Sequence, residues 1–145
     1  MKPKNETCEE RIDRNLKSRE DDFLKFMNKR DDEETRTEFW QYGLSFDFVD
    51  KKDLSWREKE SYYRYQLSWG GPSDEIRFYK NRVDYVFMDW FDYADKNITH
   101  KDWVEWLVSD FQELEMLPLN YGGQQWKNRL FSASAVTFSS IRFSL

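Results

Sequence analysis

Ile12, Leu16, Phe23 and Met27 recur along one stripe, with Leu24 and Phe26 beside them, which predicts an amphipathic helix over residues 7–30. Thr7 stands where an N-cap is expected, and Glu9 and Glu10 fall in the first turn, where the helix dipole favours carboxylates. Asp31-Asp32-Glu33-Glu34 then ends that helix or opens a second one through Phe39-Trp40, with Gly43 as its stop. From residue 62 the period changes to two. Tyr63, Tyr65, Leu67 and Trp69 alternate with Tyr62, Arg64, Gln66 and Ser68, the pattern of a strand with one buried face. Gly70-Gly71-Pro72-Ser73-Asp74 supplies turn chemistry, Ile76–Tyr79 a second strand, and Val83–Phe91 a third, apolar enough on both faces for the middle of a sheet. Leu44–Val49 is a candidate fourth strand at an edge. Trp103, Val104, Leu107, Val108, Phe111 and Leu114 form a wide stripe that predicts a helix over 99–116, with Thr99 as N-cap, Asp102 as the capping-box acid and Pro118 beyond its end.

The expected fold class is therefore α+β, in one domain covering 1–145. It has a helical zone (7–42), a central antiparallel sheet of three to four strands (44–92) and a helix (99–116) packed on one face. Residues 119–145 read as a basic, serine-rich tail or an edge strand. Seven Trp, eight Tyr and twelve Phe are enough to build a core, which excludes wholesale disorder. The net charge of −5 argues against a chain whose main task is to coat phosphate backbones. Charge is unevenly spread: residues 1–60 carry 17 acids and 14 bases, 61–117 carry 11 and 6, and 118–145 carry three bases and no acid. Met1–Glu6 runs into charge and no window approaches a membrane span, so no membrane association is expected. The single cysteine, Cys8, excludes an internal disulfide and fits a reducing compartment, which makes cytoplasmic residence the expectation.

Parts for catalysis are sparse. Gly70-Gly71-Pro72 lacks the Lys-Ser or Lys-Thr of a phosphate loop and reads as a hairpin turn. His100 is the one histidine, at a helix start, and the acids around Cys8 raise rather than lower a thiol pKa, so a Cys8–His100 pair is disfavoured. The candidate carboxylates for a metal-dependent or acid–base enzyme are Asp74, Glu75, Asp89 and Asp92, with Asp89 and Asp92 as cation candidates, yet their spacing fits no calcium loop. A buried Asp89 would need a cation, for which Arg64 or Arg77 is the candidate. No cofactor is expected. The strand face bearing Tyr62, Arg64, Gln66, Arg77 and Tyr79, with Trp69 at its end, is the candidate recognition surface, because Tyr, Trp and Arg are common interface anchors. The same Tyr/Arg face would alternatively stack single-stranded nucleic acid, which makes direct nucleic-acid binding a second reading.

Tyr65-Gln66-Leu67-Ser68-Trp69-Gly70-Gly71-Pro72-Ser73-Asp74-Glu75, followed by Tyr85-Val86-Phe87-Met88-Asp89-Trp90-Phe91-Asp92, resembles a pattern in small uncharacterised proteins of phages and other mobile elements. The resemblance brings no site residue with it, and the tail from Leu119 onward departs from it. What it implies is a genomic setting more than an activity. Small proteins of that setting that lack catalytic parts are often inhibitors of host defence systems, CRISPR effectors included. With catalytic parts sparse here, the leading expectation is a non-enzymatic inhibitor, such as an anti-CRISPR protein, that occupies a surface of a host protein or nucleoprotein.

Overall fold

The structure, a computed structural model, describes residues 6–54 and 60–123. Helix α1 (Cys8–Asn28) starts where Thr7 Oγ1 accepts a hydrogen bond from the Glu10 amide, and it buries Ile12, Leu16, Phe23 and Phe26. Helix α2 (Glu33–Tyr42) is capped by Asp32, whose carboxylate accepts from the Thr35 amide and hydroxyl. Those bonds, the hydroxyl's first, hold the Asp32 carboxyl below its usual value. Gly43 follows α2, and a Cβ there would lie 2.0 Å from Tyr65 Cε1, so only glycine lets the chain turn this closely against the sheet.

The sheet has five antiparallel strands in sequential order: β1 (Ser45–Val49), β2 (Tyr62–Ser68), β3 (Pro72–Phe78), β4 (Val83–Asp89) and β5 (Asp92–Asn97). The α+β class and the Leu44–Val49 edge strand hold, but the sheet is one strand larger than the expected three to four. Val83–Phe91 is not the single strand expected. It breaks at Trp90-Phe91, and Asp89 pairs with Asp92 to start a further hairpin. A register shift between Gln66 and Ser68 marks a bulge near the end of β2.

Helix α3 (Asp102–Glu113) is shorter than the expected 99–116 and begins after Lys101, with no side-chain cap. Thr99 instead ties the chain to the sheet: its hydroxyl oxygen accepts from the Val83 amide, and its own amide donates to Asn97 Oδ1. Of the expected tail or edge strand over 119–145, residues 119–123 form turns and no strand, and the remainder lies outside the described residues.

Both α1 and α3 pack on one face of the sheet, the near face. Phe23 stacks on Trp103 with centroids 4.9 Å apart, and Phe111 meets Tyr65, Phe78 and Phe46 edge-on. Within this apolar layer sits one carboxylate, Asp74 on β3, buried between α1 and the sheet. Arg19 donates Nε and Nη2 to its two oxygens at 2.7 and 2.9 Å, and the hydroxyls of Tyr85 (2.6 Å) and Ser68 (2.5 Å) donate as well. Arg19 Nη1 continues to the Tyr42 hydroxyl, which donates to Asp22. A buried ion pair of this kind is costly to break from one side. Replacing Arg19 by Met should lower the unfolding free energy by about 3 kcal/mol, because it takes the guanidinium from a buried carboxylate and leaves it only two hydroxyl donors. Urea denaturation of the two proteins measures it, and a loss within experimental error would show that Asp74 has no need of its guanidinium.

Candidate functional site

Hairpin chemistry builds the most exposed aromatic feature. The β2–β3 turn, Trp69-Gly70-Gly71, uses a positive φ of 139° at Gly70 and leaves Trp69 65% exposed. Two strands away, β4 and β5 are joined by just Trp90 and Phe91, which are 82% and 100% exposed. Trp90 has φ +58°, at the first loop position that glycine usually fills in a two-residue hairpin turn. For a bulky residue this backbone is strained, by about 1–2 kcal/mol. Pairing of Pro72 with Asp89 sets the two turns side by side, and a Cβ on Gly71 would meet Trp90 Nε1 at 3.4 Å. By register Leu44, also exposed, lies at this same end of the sheet, before Ser45 opposite Gln66.

The strained turn is clamped from α1. Arg11 Nη1 donates to Asp89 Oδ2 at 2.5 Å, with its guanidinium 4.8 Å over the Phe87 ring. The Cys8 amide, in the first turn of α1, donates to Asp92 Oδ2 at 2.6 Å, while Asp92 Oδ1 accepts from the Tyr93 amide. These two amides, Cys8 first, hold the Asp92 carboxyl below its usual value. Burial, reinforced by the neighbouring Asp92, pushes the Cys8 thiol up, and the side chain packs in the core. Beneath the turns a cleft of about 320 Å³ opens between α1 and the strand ends, with Arg11, Ser18, Ser68 and Pro72 among its walls.

The sequence-predicted residues fall into three groups. Trp69 is in the aromatic rim. Arg64 is partly exposed and forms a forked pair with Asp47. Tyr62, Gln66, Arg77 and Tyr79 share the far face of the sheet, but all four are buried, so the open Tyr/Arg surface expected from alternation is not what the structure presents. Arg77 lies 4.6 Å over the Tyr62 ring and donates to Glu75 at 2.7 Å. Asp89 is held by Arg11 rather than by Arg64 or Arg77. The four candidate carboxylates do not converge: Asp74 faces α1, Glu75 faces away from it, and Asp89 and Asp92 are both engaged by α1. Among the described residues no group of three or more His, Cys, Asp or Glu is placed to hold a metal ion, and no helix is long and apolar enough to cross a membrane.

Sequence reasoning missed Trp90 and Phe91, because a strand of apolar residues running through them was the simplest reading. The available signal was Asp-Trp-Phe-Asp itself, two acids bracketing two rings. No family model, curated protein or solved structure matches this chain.

Two outcomes are expected. Trp90→Gly removes the left-handed strain and should raise stability by about 0.5–1 kcal/mol in urea, the gain being reduced by the greater freedom of glycine in the unfolded chain. A destabilised variant would mean the turn is not strained. The second concerns acid. Asp92 has a lowered folded pKa, so its contribution is fully present above the unfolded value near 3.8 and is lost as pH falls through the folded one. Tryptophan emission should therefore show a transition below about pH 4, and Asp92→Asn should flatten that limb.

Proposed function

We propose that the chain is a non-enzymatic binding protein that occupies a surface of its target through the aromatic rim of Trp69, Trp90 and Phe91. The observation that carries this reading is Trp90: a bulky ring on a left-handed backbone, 82% in water and clamped there by two carboxylate contacts from α1. Leaving rings of this size in water forgoes burial of roughly 2 kcal/mol each, and the backbone strain adds to that. A partner that buries them offsets both. Rigid Trp and Phe side chains, presented without loss of loop entropy, are the usual anchors of protein interfaces. Next to them the cleft walled by Arg11 and Ser18 offers hydrogen-bond donors to a polar side chain of the partner. The resemblance to small phage proteins supplies the class of target: a host protein or nucleoprotein of a defence system, such as a CRISPR effector, blocked by occlusion.

Affinity capture from a host lysate after nuclease treatment tests it, with wild type and Trp90→Ala/Phe91→Ala side by side. A partner should be retained by wild type and bound at least about 30-fold more weakly by the variant, while the unfolding midpoint stays within the range of a surface change. Equal retention would falsify the rim as the binding surface. Binding that disappears with nuclease and weakens steeply with salt would instead favour a single-stranded nucleic acid.

A further inference from the structure

The two edges of the sheet are finished differently. At one, β5 carries Asp92, Asp95 and Lys96 within six residues, and Lys96 reaches Asp13 on α1 at 3.4 Å. Charge of this density discourages another strand from pairing with an edge. At the other, β1 reads Ser-Phe-Asp-Phe-Val, with no Lys or Pro, and its one charge is drawn inward: both Asp47 oxygens accept from the Arg64 guanidinium on β2. Among the described residues no strand lies beyond it. The Leu44 amide donates to Gln66 O at 2.8 Å, so that carbonyl is turned toward β1. Because Ser45 pairs with Gln66, alternation turns the backbone groups of Ser45, Asp47 and Val49 to β2, and the N–H and C=O of Phe46 and Phe48 outward. Beside Phe46, on the near face, opens a cavity of about 160 Å³ walled by Phe39, Trp40, Leu44, Phe111 and Met116.

We propose that the outer edge of β1 takes up an extended segment of a partner polypeptide as a further strand of the sheet, with a basic residue opposite Asp47 and an apolar side chain in the adjoining cavity. The edge selects the backbone. The outward N–H and C=O groups of Phe46 and Phe48 are spaced along an extended chain, and a second extended chain satisfies them together. The cavity selects one side chain. Cross-strand neighbours share a face, so the residue opposite Phe46 stands on the near face, beside a space comparable to those that admit a benzene-sized group. Charge selects the third position and rejects a second copy of this chain. The two-fold pairing that uses every outward group of Phe46 and Phe48 would set Asp47 directly opposite its own counterpart, and like charges so placed are destabilising. A Lys or Arg there instead meets a carboxylate whose side chain is 45% exposed, on a chain of net charge −5. This inference is independent of the aromatic rim.

Amide exchange followed by NMR on the full chain tests it, with synthetic peptides as the probe: acetyl-Lys-Thr-Leu-Arg-Leu-Thr-Lys-amide and versions with Ile, Met or Phe in place of the leucines. In the free protein the Phe46 and Phe48 amides should exchange at least tenfold faster than those of Asp47 and Val49, and a peptide of the panel should slow them at least tenfold. N-methylation of the two leucines should abolish that protection, and Glu in place of the peptide's Arg should weaken binding severalfold. Phe48→Pro removes an outward N–H and no ladder bond to β2, so the variant should stay folded and bind at least tenfold more weakly; the N-methyl arm, which needs no variant, stands whether or not it does. No protection by any member of the panel at about 1 mM overturns the proposal, as does binding that survives N-methylation. Phe46 and Phe48 amides already protected in the free protein also overturn it: at every concentration they would place a segment of the chain itself on the edge, and only at high concentration a second copy.

Discussion

The ion pair between Arg19 and Asp74 fixes where the first helix lies, and the rest of the near face follows from it. A carboxylate on the inward side of a central strand is tolerable only when its lone pairs are filled, and here one guanidinium and two hydroxyls donate to it. The fork geometry of Arg19 demands a particular rotation and translation of α1 over β3 and β4. Apolar packing of Phe23 on Trp103 and Tyr65 would tolerate a slide of the helix, but the fork would not.

That placement has a consequence about 12 Å away, the rise of the helix from Arg19 to Arg11. With Arg19 locked, the N-terminal turns of α1 arrive at the β4–β5 turn, where Arg11 meets Asp89 and the Cys8 amide meets Asp92. A two-residue turn containing Trp and Phe would not hold a left-handed backbone unaided. Two contacts from a rigid helix over-determine it, and strain persists only where the surroundings do so. The rim is therefore a property of helix placement as much as of the hairpin sequence.

This division also decides what was legible in the amino-acid sequence. Periodicity of about four located α1 and α3, and periodicity of two located β2, because each element reports its own buried face, whereas α2 was signalled only by its acidic start and Gly43, and β3 begins at Pro72, inside the segment expected to be a turn. The β4–β5 turn was opaque for the opposite reason. Trp90 and Phe91 break the rule that turns carry Gly, Asn or Asp, and that violation of local preference is what makes the position a candidate site. Sequence places Asp74 in a turn and offers Arg64 or Arg77 as the partner of Asp89, since nothing local reveals that residues 55 and 78 positions away on α1 supply their guanidiniums. Alternation along β2 correctly separated Tyr63, Tyr65 and Leu67 from Tyr62, Arg64 and Gln66. It gave no warning that the second set is buried too, because polar side chains that pair with one another, as Glu75 and Arg77 do, look the same in sequence as side chains in water.

Closure of both faces narrows where a partner can bind. With the helices on one side and the far face shielded, the sheet offers its two ends and its edges. One end is occupied by the backbone bonds of Gly122 and Gly123 to Tyr79 and Lys80. The opposite end carries Leu44, Trp69, Trp90 and Phe91, all exposed, above a cleft walled by Arg11 and Ser18. Apolar groups scattered singly over a surface need no explanation, but rings gathered on two adjacent turns, one of them strained to hold its position, do. The interface hypothesis therefore rests on a stability cost that the fold visibly bears at that end, and it was this cost, rather than any catalytic constellation, that singled the site out.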